Sequence, residues 1–185
     1  MKKFQDWAKR EYNIRQRLIA LGFEGIFFLL IFPFLLVVSS AAIDRWLQLP
    51  RFTLSVMNLI VGLLLVVGGG FLGLWSIQVQ LTIGKGTPVP MMPTRRLVVK
   101  GPFTYCRNPM TLGTFAAYLG ISFWIGSFSA IALILILIVV LLLYVKLVEE
   151  KELEDRFGLE YLEYKRNTPF LLPRLRRRSR SDPVN

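Results

Sequence analysis

Histidine is absent from all 185 residues. That absence excludes Ser-His-Asp and Cys-His nucleophile systems and nearly all zinc-hydrolase ligand sets. Cysteine occurs once, at Cys106, which excludes an internal disulfide and a thiolate metal cluster. Cys106 reads as a small packed residue rather than a catalytic thiol. Acidic residues are also scarce, 12 Asp and Glu against 23 Lys and Arg, for a net charge of +11. Chemistry in this chain must therefore rest on carboxylates, Arg, Lys, Tyr, Asn or a bound cofactor, and no metal site is expected.

What the chain has in excess is apolar surface. Hydrophobic residues make up 54% and the mean hydropathy is +0.50, too apolar for an ordinary soluble domain. Because the basic residues flank apolar runs rather than form a soluble basic face, they point to anionic lipid headgroups and not to nucleic acid. The fold expected is an all-α integral membrane protein in a single domain, with about four transmembrane helices and a C-terminal helical hairpin running into a cytoplasmic helix. The spans read as 21–43, 53–75, 111–126 and 128–148. Residues 1–20 suit a basic amphipathic helix on the membrane surface, and 174–185 a basic headgroup-binding tail. Glu24 falls near the end of the first span, where interfacial solvation is the plain expectation, and Pro33 predicts a kink.

Small residues recur at spacings of four: Gly69 with Gly73, Gly113 with Ala117, and Ala116 with Gly120. Such faces allow close helix approach. The last two sets predict that the third and fourth spans pack tightly on each other. Lys and Arg number six before the first span, five in the 76–108 loop and ten from Lys146 onward, against Arg45 and Arg51 elsewhere. The positive-inside rule then places both termini and the long loop on the cytoplasmic side. In a prokaryote the host would be the plasma membrane.

This topology brings the stretch 97–113, LVVKGPFTYCRNPMTLG, to the same membrane face as residues 146–166. Gly101-Pro102 makes a turn, and Pro109 stands where a helix would start. Arg107 and Asn108 should lie close to Glu149 and Glu150. At α-helical spacing Lys146, Glu149, Glu150 and Leu153 share one face, and Phe157, Tyr161 and Tyr164 form a second stripe. Carboxylates attract an ammonium or sulfonium centre, and aromatic faces suit both adenine and an onium group. Charges at a helix exit also commonly just face water.

The run GPFTYCRNPMTLG, a short hairpin, the EE pair and FGLEYLEYKRNTPFLLPR resemble the isoprenylcysteine carboxyl methyltransferases and the related phospholipid methyltransferases. The likeness covers 84–173. It implies a helical membrane enzyme that uses S-adenosylmethionine and methylates an amphipathic or lipid-like small molecule. It further implies cofactor contacts from Leu97, Val98, Phe103, Asn108, Pro109, Met110 and Glu149, with Arg95 and Arg96 on the approach. Arg107 and Glu150 belong to the same motifs and are assigned to catalysis, and Lys146 to the substrate. Asn108 replaces the histidine seen in many members, and Thr111 stands where Tyr is usual. Val145 occupies the position from which an Arg meets the substrate carboxylate in prenylcysteine-methylating members, which counts against that substrate. The alternatives are a phospholipid N-methyltransferase and a non-catalytic membrane scaffold that kept the fold. The sequence is silent on oligomeric state.

Overall fold

A computed structural model describes residues 13–53, 56–84, 94 and 96–173. Arg95, most of the surface helix expected over 1–20 and the whole 174–185 tail lie outside the described residues. Among the described residues every regular element is helical. α1 (Ile14–Ile26), a π turn (Phe27–Ile31) and α2 (Phe32–Trp46) follow one another without a break. α3 (Val56–Val79) runs into a π turn (Gln80–Gly84). After a 3-10 turn (Gly101–Thr104) come α4 (Pro109–Ile125) and α5 (Phe128–Tyr144). A π turn (Val145–Glu149) joins α5 to α6 (Glu150–Phe157), and α7 (Leu159–Asn167) closes the described helices.

The stretches Leu18–Trp46, Val56–Gly84 and Phe128–Phe157 are long and apolar enough to cross a membrane, and α4 is a shorter apolar helix. These helices outrun the expected spans. Asp44, Arg45 and Trp46 are helical rather than loop, and 76–84 continues α3 rather than opening the long loop. Large apolar side chains such as Phe34, Leu64 and Ile136 are exposed, as they must be when lipid replaces water as the outer solvent.

The small core consists of Leu36, Tyr118, Ala130 and Ile134, from α2, α4 and α5. Pro33 explains the first π turn. Its ring removes one N–H from the ladder, and the helix widens so that the Phe32 N–H donates to the Phe27 carbonyl, five residues back. In that register Pro33 would have served Phe28. Tyr118 supplies the missing donor, its hydroxyl bonding the Phe28 carbonyl at 2.8 Å. Glu24 is buried, 7% exposed, rather than solvated at an interface.

The tight packing falls elsewhere than expected. α3 and α4 lie antiparallel along their length, with Gly69 on Gly113 and Gly62 on Gly120. A Cβ at Gly69 would sit 2.4 Å from the Gly113 carbonyl oxygen, and one at Gly120 would sit 2.7 Å from the Gly62 oxygen. Ala116 and Ala117 meet Gly69 as well. The small face of α4 is therefore spent on the second long helix and not on the α4–α5 hairpin. Each pair repeats after seven residues, two helical turns, so the contact stays on one face of both helices.

The α4–α5 hairpin is fixed at its tip instead. Gly126 turns the chain at φ +65°, a conformation that glycine adopts without strain. Buried Asp44 accepts from the Ser127 hydroxyl at 2.6 Å and from the Ser129 N–H at 3.3 Å. Ser127 in turn caps α5 by accepting from the Ala130 N–H at 3.0 Å.

Three outcomes follow for thermal unfolding of the detergent-solubilised protein. Gly69→Ala should destabilise it by about 1–3 kcal/mol, through overpacking. Gly68→Ala should leave it within about 0.5 kcal/mol, since a Cβ there meets nothing within 4 Å. Tyr118→Phe should also destabilise by about 1–3 kcal/mol, because the Phe28 carbonyl loses its donor in an apolar interior.

Candidate functional site

The site is built where the 97–108 segment meets α6 and α7. Gly101, at φ +60°, packs against α3, and a Cβ there would lie 3.0 Å from Val79 Cγ2. Pro102 is fully buried, and the Thr104 hydroxyl bonds back to the Gly101 carbonyl at 2.7 Å. The chain then reaches Asn108, which takes the N-cap position of α4 and whose carbonyl accepts from the Leu112 N–H at 3.0 Å. Pro109 takes the first helical position, where no N–H is needed, and is fully buried. These turns fix the backbone around Arg107.

Arg107 reaches across to α6 and forms an ion pair with Glu150 Oε1. Glu150 is 4% exposed, and its other oxygen takes Lys165 Nζ at 2.9 Å. Lys165 is shared with Glu154 at 2.6 Å, and these two carboxylates raise the lysine pKa above its ordinary value. α7 can return to α6 because Gly158 adopts φ +55°, ψ −127°, a region almost closed to other residues. Gly158 thus makes a fold-back between the two helices.

The π turn decides which carboxylate points inward. At 3.6 residues per turn, positions five apart lie about 140° apart around a helix. Here the Glu150 N–H donates to the Val145 carbonyl, an i to i+5 bond, and the widened turn brings both residues to the same side. Val145 and Glu150 are accordingly both buried, while Lys146 and Glu149 are both exposed. The shared face expected for Lys146, Glu149, Glu150 and Leu153 is therefore corrected. The extra residue of the π turn splits it into a buried anchor, Glu150, and an open pair, Lys146 and Glu149.

Of the other sequence candidates, Val98 and Pro109 are buried and can only shape a wall. Leu97, Phe103, Asn108 and Met110 are partly exposed, and Arg96 is exposed. The Asn108 side-chain amide is engaged, donating to the Phe170 carbonyl at 3.0 Å. Tyr161 is buried against Tyr164, ring centroids 6.2 Å apart. Burial first, and Glu150 second, push the Tyr161 hydroxyl up to about 12, and burial raises Tyr164 too. Both stay protonated at physiological pH; the Tyr164 hydroxyl donates to the Phe103 carbonyl at 2.7 Å, and the Tyr161 hydroxyl accepts from the Arg107 side chain. Burial also pushes the Cys106 thiol up, in keeping with a packed, unreactive residue.

The sequence reading missed Lys165 as the second cation on Glu150. Its signal was present in the i, i+4 relation of Tyr161 to Lys165 on the stripe already noted. It also missed Arg156, which bonds the Thr94 carbonyl and Glu152 and so ties α6 to the segment before Arg107. A shallow depression of about 330 Å³, lined by Phe71, Leu74, Trp75 and Gln78, opens on α3 near this end. A similar one of about 340 Å³ around Asp44, Arg45 and Arg51 lies at the opposite end, away from these groups.

An all-helical membrane architecture with a polar, charge-paired site at one end of the helices defines the class of protein. A family model described as phospholipid methyltransferase matches residues 57–160, more than half of the chain, and the chain belongs to that family. No curated protein and no solved structure matches it. The matched region contains the α3–α4 glycine contact, the Arg107 turn, the π turn and Glu150. Lys165 and the strand of chain after α7 lie beyond it. Membership places the chain among membrane methyltransferases of the phospholipid type.

One expectation separates the two adjacent carboxylates. Glu150→Ala leaves the largely buried Arg107 side chain without its carboxylate, and should cost about 3 kcal/mol in thermal unfolding. Glu149→Ala should change stability by less than about 0.5 kcal/mol.

Proposed function

We propose that the protein transfers a methyl group from S-adenosylmethionine to an amphipathic, lipid-like acceptor at the cytoplasmic membrane face. The observation that carries this reading is the division of labour between Glu149 and Glu150. One carboxylate is buried on Arg107 and Lys165, and its neighbour is left open beside it. The positive flanks of the spans support the cytoplasmic orientation, with both termini on that side.

The donor set suits the cofactor. An open carboxylate attracts a cationic centre, and partly exposed Phe103, Leu97 and Met110 offer apolar faces for a nucleoside. When bound, S-adenosylmethionine supplies an already activated methyl on a positively charged sulfur. The protein's task is therefore positioning and exclusion of water more than nucleophilic attack, in accord with a chain that has no histidine and a buried thiol. Glu149 holds the cationic end of the cofactor. Arg107 orients the wall of the site. Glu150, with both oxygens already engaged, anchors that wall rather than taking part in the chemistry itself. An amine acceptor would give up its proton to Glu149 or to water. Lys146, exposed one helical turn from Glu149, favours an acceptor that carries an anionic group, as a phospholipid does. The depression at Phe71 and Trp75 has a mainly apolar lining that suits an acyl chain.

The test is transfer of labelled methyl from S-adenosylmethionine into a total lipid extract, with titration by S-adenosylhomocysteine alongside. Label in a phospholipid fraction is the expected result, as is a loss of at least tenfold in S-adenosylhomocysteine affinity for Glu149→Ala. No binding at millimolar ligand, with no labelled fraction, would refute the methyltransferase reading and favour a scaffold.

A further inference from the structure

The segment after α7 makes a set of contacts that the transfer chemistry does not use. The Thr168 N–H closes α7 by donating to the Tyr164 carbonyl at 2.9 Å, and Thr168 is buried. Pro169 then accepts from the Arg107 backbone N–H at 2.9 Å. Phe170 accepts from the Asn108 side-chain amide at 3.0 Å, and its ring lies 5.5 Å from the Arg107 guanidinium carbon. Two successive residues, Pro169 and Phe170, thus contact Arg107 and Asn108, and Thr168 fixes their start at the end of α7. From this we infer that Asn108 is a positioning residue: with Thr168–Phe170 it forms a strap that holds Arg107 on Glu150.

The need for a strap follows from the charge arrangement. Glu150 has a second cation in Lys165, so Arg107 could swing away without leaving the carboxylate alone. Lys165 therefore weakens the hold of Glu150 on Arg107, and further fixation comes from the Tyr161 hydroxyl, the backbone bond to Pro169, the ring of Phe170 and the Asn108 latch. The latch requires a donor, because its partner is a carbonyl. Histidine could serve the same latch. A ring N–H can make the same bond, and no proton exchange is asked of this position.

The inference rests on the methyltransferase reading for its kinetic arm only. Its structural arm uses Cys106, the sole cysteine, which is 1% exposed and adjoins Arg107. Opening of the strap should uncover it, and a thiol raised by burial should regain reactivity. Full-length protein in phospholipid nanodiscs is treated with N-ethylmaleimide and followed by intact mass. Asn108→Asp, nearly isosteric but an acceptor in place of the donor, should be alkylated about tenfold faster than the wild type. Asn108→His, which restores an N–H, should react at the wild-type rate. If Asn108→Asp does not accumulate in folded form, Asn108→Ala takes its place with the same expectation. In the kinetic arm, Asn108→Asp should lower kcat at least tenfold and leave S-adenosylhomocysteine affinity within threefold. Unchanged Cys106 protection in Asn108→Asp, or a tenfold loss of S-adenosylhomocysteine affinity with Cys106 still protected, would overturn the strap. Failure of the wild type to bind S-adenosylhomocysteine would refute the cofactor reading, and the alkylation rates would still decide the strap.

Discussion

A carboxylate 4% exposed at the end of a membrane helix must have a cation, because burying it alone costs several kcal/mol. Glu150 meets that demand with Arg107 and Lys165, and much of the architecture around the site follows from it. The π turn over Val145–Glu149 rotates Glu150 to the inner side. Gly158 lets α7 return and deliver Lys165. The 3-10 turn and Pro109 deliver Arg107 from the other direction. Three segments distant in sequence are pinned at one carboxylate, and Glu149 is left open beside it.

This pinning works only if α4 starts in the right place, and the glycine contacts supply that condition. Gly69 on Gly113 and Gly62 on Gly120 bring the α3 and α4 backbones into contact. In lipid, where no hydrophobic force drives helices together, such close packing is what holds them. Because α3 ends and α4 begins on either side of the site loop, their packing sets the position of Arg107. At the far end, Asp44 and Ser127 hold the α4–α5 tip, so the hairpin cannot slide and shift Glu150 along the membrane normal.

The helices, their order and the meeting of Arg107 with the EE pair were legible from hydropathy, spacing and motif. What escaped was register. Pro33 advertised a disturbance, but a kink and a π turn cost the ladder the same N–H. The choice of a π turn depended on Tyr118, 90 residues from Phe28. Nothing local distinguishes Val145–Glu149 from ordinary helix, so α-helical spacing put Glu149 and Glu150 in one environment that the structure divides. The small face of α4 was visible, but its partner was not, since Gly113 and Gly120 fit α3 or α5 equally well until the seven-residue spacing of Gly62 and Gly69 is matched to theirs. Glu24 was judged by its distance from the span end, whereas its burial is set by packing.

The central claim is that Arg107 and Glu150 act as one unit that shapes the cofactor site. A double-mutant cycle on S-adenosylhomocysteine affinity tests it most directly. The account predicts that Arg107→Ala and Glu150→Ala each weaken binding and that the double variant is no weaker than the worse single one. Losses that multiply in the double variant would mean that the two residues act independently, and would contradict the account.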